Sequence, residues 1–315
     1  MNPGRILLEL NELWVSLAGQ PAEGGQGVLR ACTMTLFVLA DESDDPAGIW
    51  EIVAANMPMH PSRAILIRVR RGTERDISAR VFAQCWLPFG QRQQICCEQV
   101  EISATDASLP DLPGLVLPLA APDLPVVIWC RCPRLFAAPE LPQLAAAAVA
   151  RKIVVDSAIF GDAPAALRML DERRNTPPAV ADLAWARLTR WREAVSRVFD
   201  DPGQCQRLAA VRRLDVGYAG PDAPPEAWYM AAWLADGVAR AGADVRSICH
   251  PVPTEPAGEL DHVELAGEGW QVVLGRTAFL SPPLYAVLGE ELGMGERDPV
   301  FERILPAAAR LAISS

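Results

Sequence analysis

Lysine is nearly missing from this chain of 315 residues: Lys152 is the single one, so arginine supplies almost all the positive charge. Arginine's rigid fork suits carboxylates and phosphates, although a coding bias that also enriches Ala and Pro is the plainer explanation. No stretch approaches the roughly eighteen uninterrupted apolar residues of a membrane span. The opening MNPGRILLELNELW has neither a basic head before a long apolar run nor a small-residue cleavage site. A cytoplasmic chain with no membrane partner is expected. The net charge of −10 repels phosphate backbones, which argues against nucleic acid as a partner.

Several chemical signatures are missing as well. Neither GxGxxG nor GxxxxGK[ST] occurs, which speaks against a dinucleotide-binding dehydrogenase or a P-loop NTPase, and no cofactor is expected. A G-x-S-x-G elbow is absent, so a serine hydrolase has no nucleophile in the usual setting. The eight cysteines form no C-x-x-C pair, and there is no HExxH. Reduced, mostly buried thiols and no metal are therefore expected, with His250 read as a strand-end residue before Pro251.

What is present reads as an α/β chain with two α/β domains, each a mixed sheet flanked by helices. Half the residues are hydrophobic, enough for a large core. Residues 1–27 read as a flexible leader holding a short helix and running into PAEGGQGV. An N-terminal domain over 28–175 follows. It begins with the long apolar run VLRACTMTLFVLA as a central strand, then the helix PAGIWEIVAANMP and a hairpin of ISARVFAQCW with QICCEQVEI. The short strands LPVVIWCR and KIVVDS alternate with helices after that. RRNTPPAV (173–180) reads as the linker, and a C-terminal domain occupies 180–315.

That second domain opens on DLAWARLTRWREAVSRVFDDP, expected to form one amphipathic helix. Ala184, Leu188, Trp191, Val195 and Val198 make its apolar stripe, and Asp182 caps it. Trp185 falls off the stripe with Arg192 beside it, while Arg187 and Arg190 lie at its border and beyond. Trp and Arg are enriched at binding hot spots, so these four are the candidate partner-binding residues. Two other groups could hold an anion or simply satisfy local backbone: His60, Ser62 and Arg63 at a helix-to-strand junction, and Asp156 with Ser157 at the end of a strand.

Five blocks in order, HPSRAI (60–65), CEQVEI (97–102), DLPVVIWCR (123–131), RKIVVDS (151–157) and the Trp/Arg segment, resemble the OpcA family of glucose-6-phosphate dehydrogenase assembly proteins. The resemblance covers about residues 30 to 235, and Cys130 stands where the family pattern suggests a second Trp. It implies a non-enzymatic assembly factor and allosteric activator whose partner is glucose-6-phosphate dehydrogenase, in the oxidative pentose phosphate pathway. The alternative from the residues alone is an enzyme or sensor for a sugar phosphate, using Arg63, His60 and Asp156.

Overall fold

A computed structural model of the chain describes residues 2–18, 26–88, 93–276, 281–295 and 297–314. In chain order its first elements are α1 (Pro3–Ala18), β1 (Gln26–Arg30), β2 (Met34–Asp41), α2 (Pro46–Asn56), β3 (Ser62–Arg70), β4 (Ile77–Trp86), β5 (Gln93–Thr105) and α3 (Leu112–Val116). Next come β6 (Val126–Cys130), α4 (Pro133–Ala137), α5 (Glu140–Ala147), β7 (Lys152–Val155), α6 (Ala163–Arg173) and β8 (Ala179–Asp182). The remainder is α7 (Leu183–Arg187), α8 (Thr189–Val198), α9 (Pro202–Arg207), β9 (Val211–Ala219), α10 (Pro225–Arg240), β10 (Ser247–Val252), β11 (Leu260–Gly267), β12 (Trp270–Gly275), α11 (Leu284–Gly293) and α12 (Pro299–Ile313). No described helix is long and apolar enough to cross a membrane.

The chain divides into two compact units, each assembled from three segments. The first takes Met1–Val155, Thr176–Val180 and Leu284–Glu296; the second takes Asp156–Asn175, Ala181–Pro283 and Arg297–Ser315. A single cut at 173–180 was expected. In the first unit the sheet runs β1-β5-β3-β2-β6-β7-β8, with β4 antiparallel on β5 and the β2, β3, β5, β6 and β7 pairings parallel. Strands buried on both faces need near-continuous apolar side chains. Leu36, Phe37, Val38, Ile65, Leu66 and Ile67 supply them and are at most 1% exposed. Lys152, the lone lysine, is committed inside this unit: its ammonium donates to the Glu291 carboxylate at 3.0 Å and to the Glu291 carbonyl at 2.7 Å.

Three expectations about this unit change. Residues 3–18 are not a free leader but helix α1, whose Ile6 and Leu10, one turn apart, are buried, and whose Trp14 indole donates to Glu98. Of the Gly-rich stretch of that leader, residues 21–25 lie outside the described residues, whereas Gln26 and Gly27 begin strand β1. The long run expected as one strand breaks into β1 and β2, because Thr33 turns its N–H and its hydroxyl to the Pro61 carbonyl, at 2.6 and 2.9 Å, instead of the ladder. Cys85 and Cys96, directly opposite in the β4–β5 register, form a disulfide where reduced thiols were expected. Their eleven-residue separation crosses a hairpin and leaves no C-x-x-C trace.

The second unit carries a mixed sheet of order β10-β9-β11-β12, with β10 parallel and β11 antiparallel to β9. Leu214, Val216, Val263 and Leu265 alternate inward along β9 and β11, and α10 brings Ala227, Tyr229, Met230 and Ala231 to the core, all at most 1% exposed. The Trp/Arg segment is two helices, α7 and α8, broken at Leu188. There the Thr189 hydroxyl donates to the Ala186 carbonyl at 2.7 Å, a local bond that competes with the helical ladder. Four of the five stripe residues, Ala184, Leu188, Trp191 and Val195, are buried, while Val198 at its end is half-buried.

Candidate functional site

Asp182 ends β8 and caps α7, and its carboxylate gathers a buried polar cluster in the second unit. Oδ1 accepts from the backbone N–H groups of Ser157 and Ala184, at 3.0 and 3.1 Å. Oδ2 accepts from the Ser157 hydroxyl at 2.5 Å and from the Tyr229 hydroxyl at 2.7 Å. Burial pushes the Asp182 carboxyl above its ordinary range, and the Ser157 donors oppose it. The Tyr229 phenol is driven well up, first by burial and then by the Asp182 charge.

Beside it Asp156 holds Arg187 with both carboxylate oxygens, Nη1 to Oδ1 at 2.8 Å and Nη2 to Oδ2. The same Nη1 reaches Glu226 Oε1 at 3.2 Å. Glu226 Oε2 is buried without a hydrogen-bond partner. Burial lifts the Glu226 carboxyl to about 7, against the pull of Arg187. The fold thus joins Arg187 to the pair Asp156 and Ser157, which the sequence offered in a different group, and adds Asp182, Glu226 and Tyr229. The sign available in sequence was Glu226 and Tyr229, three residues apart in the otherwise apolar run EAWYMAAW, hence on one helix face.

Apart from Glu226 Oε2, the carboxylate oxygens of this cluster are taken up by donors within it. Ser157 gives its proton to a carboxylate already saturated with donors, and no histidine reaches it among the hydrogen bonds described. An adjoining cleft of about 790 Å³ is bordered by Ser157, Tyr218, Trp228 and Cys249, and its charged lining is acidic, Asp162 and Asp222. A phosphate would meet repulsion there.

The partner-binding candidates separate sharply. Trp185 is 2% exposed: its indole N–H donates to Asp298 at 2.8 Å, and its ring packs against Tyr229 and Phe301. The reading of Trp185 as a surface contact is thereby corrected, because α12 supplies a second apolar wall that a single-helix projection does not contain. Arg187 is likewise committed to Asp156 and Glu226. Arg192 lies 3.7 Å from the centre of the Trp185 ring and donates to Thr189 at 3.1 Å. Arg190 is exposed.

In the first unit Ser62 and Arg63 begin β3 and are buried, while His60 precedes it, half-buried. Arg63 Nε donates to Glu98 at 2.5 Å and Nη1 to the Leu119 carbonyl at 2.7 Å, so two of its three guanidinium nitrogens are engaged by the chain itself.

Sequence reasoning missed the end of the sheet where the order reverses. β2 is flanked by β3 and β6, and in open α/β sheets ligands bind beyond the carboxyl ends of the strands at such a switch. Here that place is filled with carboxylates: Asp41 ends β2, Asp44 follows, and Asp45 caps α2 by accepting from Ala47 and Gly48 at 3.0 Å each. The helix N-terminus that would cradle a phosphate already holds an anion of its own. Arg134 joins these carboxylates, donating to Asp41 at 2.8 Å, to the Val69 carbonyl at 3.1 Å and to Asp106. The Arg134 hydrogen bond holds the Asp41 carboxyl below the ordinary carboxylate range.

A family model described as the glucose-6-phosphate dehydrogenase subunit N-terminal domain matches residues 54–172, and one described as the C-terminal domain of that subunit matches 178–305. The chain belongs to the OpcA family. Proteins carrying the name OpcA from Synechocystis sp. and Nostoc punctiforme are each 29% identical to it, over 178 and 185 residues. Those matches take in 55% and 56% of this chain but 35% and 37% of the relatives, so the chain spans little more than a third of their length. Among solved structures, a dehydrogenase from Chromobacterium violaceum aligns with a TM-score of 0.44 at 10% identity, covering 89% of this chain and 94% of that one. Glucose-6-phosphate 1-dehydrogenase from Mycobacterium avium aligns with a TM-score of 0.43 at 10% identity, covering 89% and 91%. Likeness at that level assigns no activity to this OpcA-family chain.

Proposed function

We propose that this chain is a non-catalytic subunit that binds glucose-6-phosphate dehydrogenase, assists its assembly and raises its activity. Two family domains named for a subunit of that enzyme support the reading from sequence. The observation that carries it in three dimensions is the strand-order switch at β2, where a nucleotide phosphate would meet Asp41, Asp44 and Asp45, and Arg134 is already paired with Asp41 and Asp106. Activation requires that the subunit bind the active form of the enzyme more tightly than the inactive one, since equal affinity shifts nothing. Arg190 and the outer edge of Arg192 remain as contact candidates on α8.

The test is a coupled assay of the cognate dehydrogenase with and without the chain, joined to sizing chromatography of the mixture. Co-elution with a change in apparent substrate affinity or turnover is expected, and no dehydrogenase activity from the chain alone. Separate elution with unchanged kinetics would overturn it. The sugar-phosphate reading finds Arg63 and Arg187 already occupied by internal carboxylates.

A further inference from the structure

The register of the second unit's sheet places three metal-ligating side chains over a single glycine. Alternate residues of a strand share a face, so Asp215 and Gly217 of β9 point the same way. Across the parallel ladder His250 of β10 pairs with Gly217, and across the antiparallel ladder His262 of β11 pairs with the same residue. Directly opposite residues share a face too. Both imidazoles and the Asp215 carboxylate therefore converge, and their potential ligand atoms all lie within 4.8 Å of one another.

Three details suit a bound cation. A Cβ on Gly217 would stand 2.3 Å from His262 Cε1, so only glycine leaves room for that ring. His262 Nδ1 lies 3.0 Å from Asp261 Oδ2, which fixes the tautomer and leaves Nε2 free, the carboxylate-backed arrangement common behind metal-bound imidazoles. Asp215 Oδ1 is buried and accepts no hydrogen bond, although His250 Nδ1 stands only 2.6 Å away. A cation between the two would satisfy both. Cys249, whose neighbours alternate with this set, instead turns its thiol toward the Ala227 carbonyl at 3.8 Å, on the α10 face.

We propose that Asp215, His250 and His262 bind one divalent transition-metal ion, zinc foremost. Two imidazoles and a carboxylate suit that borderline class better than magnesium or calcium, which take oxygen ligands. Three protein ligands leave a coordination position for solvent, and the His250 side chain is 37% exposed. The expectation of no metal rested on local motifs, and a twelve-residue spacing from His250 to His262 fits none of them. His250 lies inside β10 rather than at a strand end, and strand pairing completes the set.

The experiment is titration of the chelator-stripped, full chain with Co²⁺, followed by visible absorption, then displacement by Zn²⁺. One equivalent of Co²⁺ with nitrogen and oxygen ligation is expected, released by Zn²⁺. Affinity should fall about tenfold or more in His250→Ala and in Asp215→Asn. The variants' circular dichroism is compared with the parent's, and if His250→Ala fails to fold, Asp215→Asn decides. Absence of saturable binding, binding unchanged in Asp215→Asn, or a thiolate charge-transfer band lost on alkylation would each overturn the proposal, leaving an ordinary His250–Asp215 ion pair or a cysteine site.

Discussion

Glu98 and Asp182 are both nearly inaccessible carboxylates, one in each unit, and they are satisfied by opposite means. Glu98 faces cations, with Arg63 Nε at 2.5 Å and Arg30 Nη2 at 2.6 Å, and takes the Trp14 indole as well. Asp182 takes only neutral donors: two backbone N–H groups, a serine and a tyrosine. A charge paired with a charge depends on its partner being present, because removing one leaves the other uncompensated in a poor solvent for ions. A charge spread over several donors loses its support in steps. Of the residues singled out from the sequence, Arg63 in the first unit and Arg187 and Ser157 in the second each serve an internal carboxylate.

The sharpest way to break this contrast is to remove a cation from a buried pair. Arg63→Ala strands Glu98, and Arg187→Ala strands Asp156 and Glu226; each should cost about 3–5 kcal/mol in urea unfolding. A loss below about 1 kcal/mol for Arg63→Ala would mean that Arg30 alone suffices and that the charge-paired carboxylate is no more fragile than the other.

Next in size is a pH effect. The Glu226 carboxyl, ordinarily near 4.5, is lifted by burial to about 7 in the folded chain. The folded state then holds a proton that the unfolded state has released. Its stabilising contribution is complete below about 4.5 and is lost as pH rises through about 7, on the order of 3 kcal/mol in all. Glu226→Gln should flatten the decline of Tm over that interval, read by thermal scans at stepped pH. Equal slopes in variant and parent would remove Glu226 as the cause.

Ser157→Ala takes one donor of several from Asp182 and should cost about 1–2 kcal/mol, well under the arginine deletions. A cost equal to theirs would erase the distinction between donor-saturated and charge-paired carboxylates. Smallest of all, Arg190→Ala should move stability by no more than about 0.5 kcal/mol, since this side chain is exposed. Its effect belongs instead to co-elution with the dehydrogenase, which should weaken.

Much of the architecture was legible because it is written in short-range patterns. The apolar runs around Phe37, around Leu66 with Ile65 and Ile67 on either side, and around Ile128 mark buried strands. The stripe from Ala184 to Val195 marks its helices even though Thr189 breaks them. Capping at Asp182 was legible too, since it acts through the next few backbone N–H groups. The candidate site was legible only as a set of names. Trp185 looked exposed because α12, which buries it, arrives more than a hundred residues later, as its 113-residue separation from Asp298 records. Arg187 looked free for the same reason: Asp156 and Glu226 lie on other elements.

Sequence by itself determined most of the apolar runs that become strands and helices, the absence of phosphate-loop and elbow motifs, and the family to which the chain belongs, because each is carried by residues close together or by ordered blocks. Only tertiary structure decided which charges are consumed and which remain. Asp41 facing Arg134 at a strand-order reversal, and two histidines meeting over Gly217, depend on strand pairing between distant segments. Electrostatic partnership falls off with distance in space, not along the chain, and the fold sets that distance.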